Sequence, residues 1–178
     1  MAIRLFVGLP LDPGLAGTLA AMEAGIPGAR WVEARNLHLT LRFIGDIDEA
    51  AAREIHDALA TLSLPRFALT LAGFGLFGTR KPHTLWAGVT RDEALERVQA
   101  KVESAVVHAG QPSEPRKFFP HVTLARLNNA PPSRLQDFIT GNSPFHAGPH
   151  PVDHFTLFRS HLSRNGAEYE AVAEYPLG

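Results

Sequence analysis

The chain has 178 residues, with 17 lysines and arginines against 18 aspartates and glutamates, nine histidines and no cysteine. That length suits one domain or two small lobes, burying roughly 70% of the unfolded chain's surface. A net charge of −1 excludes a general coat for nucleic acid, and the lack of cysteine excludes disulfides, thiolate nucleophiles and Cys-ligated metals.

A first strand is predicted over residues 3–8 (Ile-Arg-Leu-Phe-Val-Gly), rich in branched and aromatic residues and stopped by Pro10. Asp12-Pro13 then opens a helix, Asp as cap and Pro in the first turn, running to about Gly25 with Leu15, Leu19 and Met22 on one face. A strand carrying His38 closes at Gly45-Asp46, and a helix from about Asp48 to Thr61 aligns Ile55, Leu59 and Leu62. The next strand is expected at about Arg66–Leu71. The second half has a strand at Thr84–Val89 and a helix from Asp92 to about His108, with Leu95, Val98, Val102 and Val106 as its stripe. Gly110 suits a left-handed cap after that helix. The strand of His121, a short Pro-initiated helix at about 132–140 and a strand at about 152–158 complete the pattern. The longest uncharged apolar stretch, Phe67–Gly78, is too short to cross a bilayer. The N-terminus has no signal-peptide pattern, so a cytoplasmic location is expected.

Both halves spell strand, helix, His-x-Thr strand, helix, strand, an internal repeat of about 3–75 and 84–160 inside a single domain of 1–178. His38-Leu39-Thr40-Leu41 recurs as His121-Val122-Thr123-Leu124, 121 − 38 = 83 residues later. In a strand, alternate side chains share a face, so each His stands beside its own Thr while the apolar neighbours enter a core. A third copy, His154-Phe155-Thr156-Leu157, falls on the following strand, where the first half has Ala68-Leu69-Thr70-Leu71. The repeat therefore pairs His38 with His121. Two imidazoles and two hydroxyls around one cleft suit acid–base chemistry on a phosphate.

Other residues carry competing explanations. Strict alternation puts Arg42 on the face of His38 and Thr40, and puts Arg126 opposite His121 unless the strand ends or twists. Basic pairs at Arg80-Lys81 and Arg116-Lys117 are local candidates for nucleic-acid contact or plain surface charges. Trp31 and Phe119 lie near the motifs and could stack on a base, or belong to the core. His146, His150 and His154 have helical metal-site spacing, but Pro149 and Pro151 argue against a helix there, so no metal is expected. His161-Leu162-Ser163-Arg164-Asn165-Gly166 reads as a hairpin with Asn-Gly at its turn.

Several segments resemble, in order, the RNA 2′,3′-cyclic phosphodiesterases, or 2′-5′ RNA ligases, of the two-histidine phosphoesterase superfamily. They are Arg4-Leu5-Phe6-Val7, Asn36 to Gly45 (Asn-Leu-His-Leu-Thr-Leu-Arg-Phe-Ile-Gly), Leu85-Trp86-Ala87-Gly88, Phe119 to Arg126 (Phe-Pro-His-Val-Thr-Leu-Ala-Arg) and Leu157 to Tyr169. The resemblance implies an α+β fold of two pseudo-symmetric lobes, each an antiparallel sheet with helices on its outer face, around a central cleft. It implies His38 as proton donor to the 3′ oxygen and His121 as the acceptor that activates water, leaving a 2′-phosphate. Thr40, Thr123 and Arg126 become the phosphate contacts, and Arg42, Trp31 and Phe119 candidate RNA contacts. The implied partner is RNA ending in a 2′,3′-cyclic phosphate, tRNA fragments included, handled by a monomer without metal, cofactor or membrane. Reversible ATP-independent 2′-5′ joining is the companion activity, with hydrolysis expected to dominate because water is present at about 55 M. The alternatives are a cyclic phosphodiesterase of small nucleotides, a metallohydrolase, and a non-catalytic module that binds RNA ends.

Overall fold

A computed structural model describes residues 2–164 and 166–178. Nine strands and four helices alternate along these residues. The strands are β1 (Ile3–Pro10), β2 (Ala29–Trp31), β3 (His38–Ile47), β4 (Phe67–Phe77), β5 (Thr84–Val89), β6 (His121–Leu127), β7 (His146–Val152), β8 (His154–Ser163) and β9 (Gly166–Pro176). The helices are α1 (Pro13–Ala20), α2 (Glu49–Ala60), α3 (Glu93–His108) and α4 (Pro132–Gly141).

Local chemistry sets the helix starts. Carboxylates of Asp12, Asp48 and Asp92 accept from backbone N–H groups in the first turns of α1, α2 and α3, at 2.8–3.3 Å. At the end of α3, Gly110 takes φ +107°, the left-handed conformation expected of it. Helix α1 ends at Ala20, short of the predicted Gly25. The strand predicted over 152–158 breaks at Asp153, between β7 and β8. Asn165, half of the predicted turn dipeptide, lies outside the described residues, while Ser163 and Gly166 pair across the β8–β9 hairpin.

The sheet runs β7-β4-β5-β6-β3-β1-β8-β9, every pairing antiparallel, with β2 added along β6. Each sequence half surrenders its fourth strand to the other: β4 pairs with β5, and β8 with β1. A pseudo-two-fold thus maps β1 on β5, β3 on β6, β4 on β8 and β7 on β9. The α+β architecture of two matching antiparallel lobes is the one expected, though the lobes are not the sequence halves. β3 and β6 meet through one residue pair, Leu39 with Val122.

The core lies on the helix side of this sheet. Leu5, Val7, Leu9, Leu39, Leu85 and Val122 are all buried there, beneath Ile55, Leu95 and Leu135 of the helices. Their alternate neighbours face the other way, into the cleft. A groove of about 400 Å³ beside α2, lined by Leu5, Arg53, His56, Leu157 and Arg159, opens on the helix side and is separated from the cleft by the sheet. Among the described residues, no helix is long and apolar enough to cross a membrane.

Candidate active site

The Leu39–Val122 pair fixes the site. In an antiparallel register, the residues flanking that pair oppose each other as His38 with Thr123 and Thr40 with His121. Directly opposed side chains on one face have Cβ atoms about 4.5–5.5 Å apart. Because Leu39 and Val122 enter the core, all four functional side chains point the other way, into the cleft. The two motifs, 83 residues apart in sequence, thereby form one cluster.

The two arginines depart from strict alternation for a shared reason. In β6, Ala125 pairs with Leu85 while Thr123 pairs with Trp86, so Leu124 is an extra residue. Leu124 and Ala125 are both buried, and the bulge returns Arg126 to the face of His121. There Arg126 donates from Nη1 to the hydroxyl of Thr84 at 3.2 Å, and its charge reaches both imidazoles. β3 has the matching bulge: Arg42 pairs with Val7 and Thr40 with Gly8, leaving Leu41 extra. Leu41 and Arg42 are both buried, so Arg42 leaves the cleft face and is corrected from a candidate RNA contact to a core residue. It forms an ion pair with Glu103 of α3 and donates to the Pro112 carbonyl. Phe43 takes the position equivalent to Arg126 and is 43% exposed on the cleft face, with the Arg4 guanidinium 5.3 Å from its ring centre.

Hydrogen bonds set the imidazole tautomers. His38 Nδ1 lies 2.8 Å from the Asn36 carbonyl, and His121 Nδ1 lies 2.7 Å from the Phe119 carbonyl. A carbonyl only accepts, so both Nδ1 atoms carry hydrogen and both Nε2 atoms serve the cleft. In neutral His38 the Nε2 lone pair accepts from the Thr40 hydroxyl at 2.9 Å. Burial pushes the His38 pKa down from 6.5 to about 4, against the upward pull of the Asn36 carbonyl; His121 and Arg126 add to the depression. Burial, then the charge of Arg126, lowers His121 as well. At Gly8, a Cβ would meet the Leu39 carbonyl at 2.9 Å and the His38 ring at 3.5 Å, so glycine leaves the ring its room.

Aromatic rings wall each histidine. Phe6 stands 4.8 Å from the His38 ring and Tyr169 5.2 Å, while Phe77 stands 4.9 Å from His121, with Trp86 and Phe119 behind. Phe119, expected near the site, borders the cleft and is 47% exposed. Trp31 does not: it pairs with buried Ala125 and packs on Phe138 of α4 at 5.7 Å, so it is corrected to the core on the helix side. His154 hydrogen-bonds Asp153 at 2.6 Å and lies at the start of β8, apart from the paired motifs. Among the described residues, no three His, Cys, Asp or Glu side chains gather as a metal-ion site.

Sequence reasoning missed Thr84, Phe6, Phe43, Phe77 and Tyr169. The one available signal was β1–β5 equivalence, which sets Phe6 and Trp86 beside the two motif strands. The β8–β9 hairpin closes one end of the cleft. Its pairing with β1 stops at Leu5–Arg159, after which it reaches across to both lobes. Asn36 Nδ2 donates to the Ala167 carbonyl at 3.1 Å, and Arg30 of β2 donates to the Arg164 carbonyl at 3.4 Å.

Known proteins resemble this chain over most of its length. Residues 12–164 match the 2′-5′ RNA ligase superfamily. An RNA 2′,3′-cyclic phosphodiesterase of Aeropyrum pernix is 35% identical over 168 residues, covering 90% of this chain and 95% of the relative. One from Thermotoga maritima is 32% identical over 150 residues, covering 83% and 79%. The crystal structure of E. coli LigT complexed with 3′-AMP shares the fold, with a TM-score of 0.78 at 23% identity over 99% of both chains.

Proposed function

This chain belongs to the 2′-5′ RNA ligase superfamily, and from that membership we propose that it opens RNA 2′,3′-cyclic phosphates through the paired His-x-Thr site. It is an RNA 2′,3′-cyclic phosphodiesterase, as relatives at 35% and 32% identity are named. The observation that carries the mechanism is the Leu39–Val122 register, which faces two imidazoles and two threonine hydroxyls into one cleft.

The phosphate sits between the two Nε2 atoms, its non-bridging oxygens taking hydrogen bonds from Thr40, Thr123 and Arg126. His121 Nε2 accepts a proton from water as the water oxygen bonds to phosphorus. The 3′ oxygen leaves in line and takes a proton from His38 Nε2, so the product keeps a 2′-phosphate. His121 ends the cycle protonated and His38 neutral, and exchange with solvent resets them. Each proton transfer contributes about 10²–10⁴-fold. The threonine and guanidinium donors stabilise the charge that builds on the non-bridging oxygens, so the proposed reaction needs no metal or cofactor. Residues 1–178 act as a single two-lobed unit; the proposal extends to a monomer in the cytoplasm, with tRNA fragments among its RNA substrates. A 5′-hydroxyl in the place of water gives the 2′-5′ joining reaction, which hydrolysis outpaces at modest RNA concentration.

The test is turnover of an oligonucleotide ending in 2′,3′-cyclic phosphate, with excess EDTA and the product phosphate located. EDTA-resistant 2′-phosphate formation, lost in His38→Ala and His121→Ala and kept in His154→Ala, is expected. Chelator-sensitive turnover or dependence on His154 would overturn the site. RNA retention without turnover would favour a binding module instead.

A further inference from the structure

The two ends of the cleft differ. Running outward from the Leu39–Val122 pair, one direction reaches Asn36 on β3's approach and Arg126 on β6; the other reaches Phe43 on β3 and Phe119 just before β6. The Asn36–Arg126 end is spanned by the β8–β9 hairpin through Arg30 and Asn36. At the opposite end two phenylalanine rings stand 43% and 47% exposed. Each carries a guanidinium: Arg4 at 5.3 Å from the centre of Phe43, and Arg91 at 5.9 Å from that of Phe119. Arg91 is steadied there by the Phe118 carbonyl at 2.7 Å and by Glu96 at 3.1 Å, and Lys117 lies on the same approach.

We infer that this end is the RNA exit: the nucleotides upstream of the cyclic phosphate leave the cleft between Phe43 and Phe119, stacking bases on those rings while Arg4 and Arg91 face the phosphodiester backbone. The inference rests on the phosphodiesterase function above and extends it from the reacting end to the polynucleotide. An exposed ring with a cation at its face combines the two parts of a sequence-tolerant single-strand platform. A monomeric cyclic nucleotide has no upstream nucleotide to place there, so the platform would favour oligonucleotides over mononucleotides. A near-neutral chain can use such a local patch, because only two or three phosphates need a partner.

The experiment compares kcat/KM for a 2′,3′-cyclic mononucleotide with that for a five-nucleotide RNA ending in the same cyclic nucleotide. Parent, Phe43→Ala, Phe43→Trp, Arg4→Gln and an Arg80→Gln/Lys81→Gln pair are assayed at two salt concentrations. The parent is expected to prefer the oligonucleotide. Phe43→Ala should cut that preference about fivefold or more, and Phe43→Trp should restore it. Arg4→Gln should weaken both the preference and its salt dependence. A parent that treats both substrates alike overturns the inference. So does a preference that survives Phe43→Ala and Arg4→Gln, or one that is lost only in the Arg80–Lys81 pair, which would route the RNA over the β4–β5 loop. Failure of the parent on both substrates would instead strike at the phosphodiesterase reading itself, and circular dichroism of each variant separates lost binding from lost folding.

Discussion

The two histidines face a proton shortage that pH should expose. The proposed hydrolysis needs His38 protonated and His121 neutral, yet burial holds His38 at about 4 and lowers His121 too. At pH 7, three units above that value, protonating His38 in the free protein costs about 4 kcal/mol. The substrate's phosphate supplies the compensation. One negative charge about 4 Å from the imidazolium is worth about 4 kcal/mol at an effective dielectric of about 20, so the proton and the phosphate enter together. The cyclic diester has no ionisation of its own near neutrality, which leaves the enzyme's groups to shape the profile. In kcat/KM, which reports the free protein, activity should be bell-shaped with both limbs below the ordinary imidazole value of 6.5. From pH 7 to pH 8 it should fall about tenfold. In kcat, which reports the bound complex, the optimum should move toward higher pH as the phosphate raises both rings. The assay is a cyclic mononucleotide titration from pH 4 to 9, with the His38 ring protons followed by NMR in the free protein. A kcat/KM that stays level from pH 6.5 to 8, or a His38 that titrates at 6.5 or above, would refute the argument.

Arg126→Ala should lower kcat/KM by about 10²–10³-fold, as loss of a preorganised donor does. It should also raise the pKa of both histidines in the NMR titration, since Arg126 depresses both. Arg42→Met leaves the carboxylate of Glu103 without its buried partner and should cost about 3 kcal/mol in urea unfolding, while kcat of the folded fraction changes little. A catalytic collapse with unchanged stability would return Arg42 to the cleft. Gly75→Ala drives a methyl into the ring of Trp86, and should destabilise by about 1–3 kcal/mol and weaken turnover through the Trp86–His121 wall. His38 also ties stability to pH. Its folded pKa lies below its unfolded one, so its contribution is whole above pH 6.5 and drains away as pH falls toward 4, by at most about 3 kcal/mol. Unfolding curves of His38→Gln should therefore lose less on acidification than those of the parent.

The four motif side chains were legible because a strand repeats every two residues, and His-apolar-Thr-apolar states that period without ambiguity. Their pairing was legible from the repeat, which put His121 and not His154 in the register of His38. Alternation alone did not make the arginines legible, although the family resemblance named Arg126 a phosphate contact, and the reason is mechanical. An extra residue ahead of each arginine, Leu41 in β3 and Leu124 in β6, inverts the alternation there. Strict period two therefore assigned both Arg42 and Arg126 to the wrong faces. Nothing local announces such a bulge, because Leu41-Arg42 and Leu124-Ala125 are both ordinary strand dipeptides; only the partner strand's register reveals the extra residue. Trp31 failed differently: it lies close to the His38 motif in sequence, but its pairing with Ala125 aimed it at α4. The exchange of β4 and β8 between halves was likewise invisible, since a repeat fixes what is equivalent and not what is adjacent.

Pseudo-symmetry alone would give a poor catalyst, because two equal histidines cannot divide one proton into an acid and a base. The asymmetry lies in what fills equivalent positions. Phe43 stands where the other lobe has Arg126, and Asn36 stands where it has Phe119. The Arg126 guanidinium therefore approaches the motifs from one direction, across Thr84, and its hydroxyl partner is itself buried. His38, enclosed by Phe6, Phe158 and Tyr169, is the more deeply buried ring and gives up a proton readily. His121 opens toward the exposed Phe119. In the free protein burial therefore holds both rings below the ordinary imidazole value, so neither keeps a proton at neutral pH. The proposed reaction therefore needs the bound phosphate to bring a proton to His38 before each turnover, and the leaving 3′ oxygen takes that proton away.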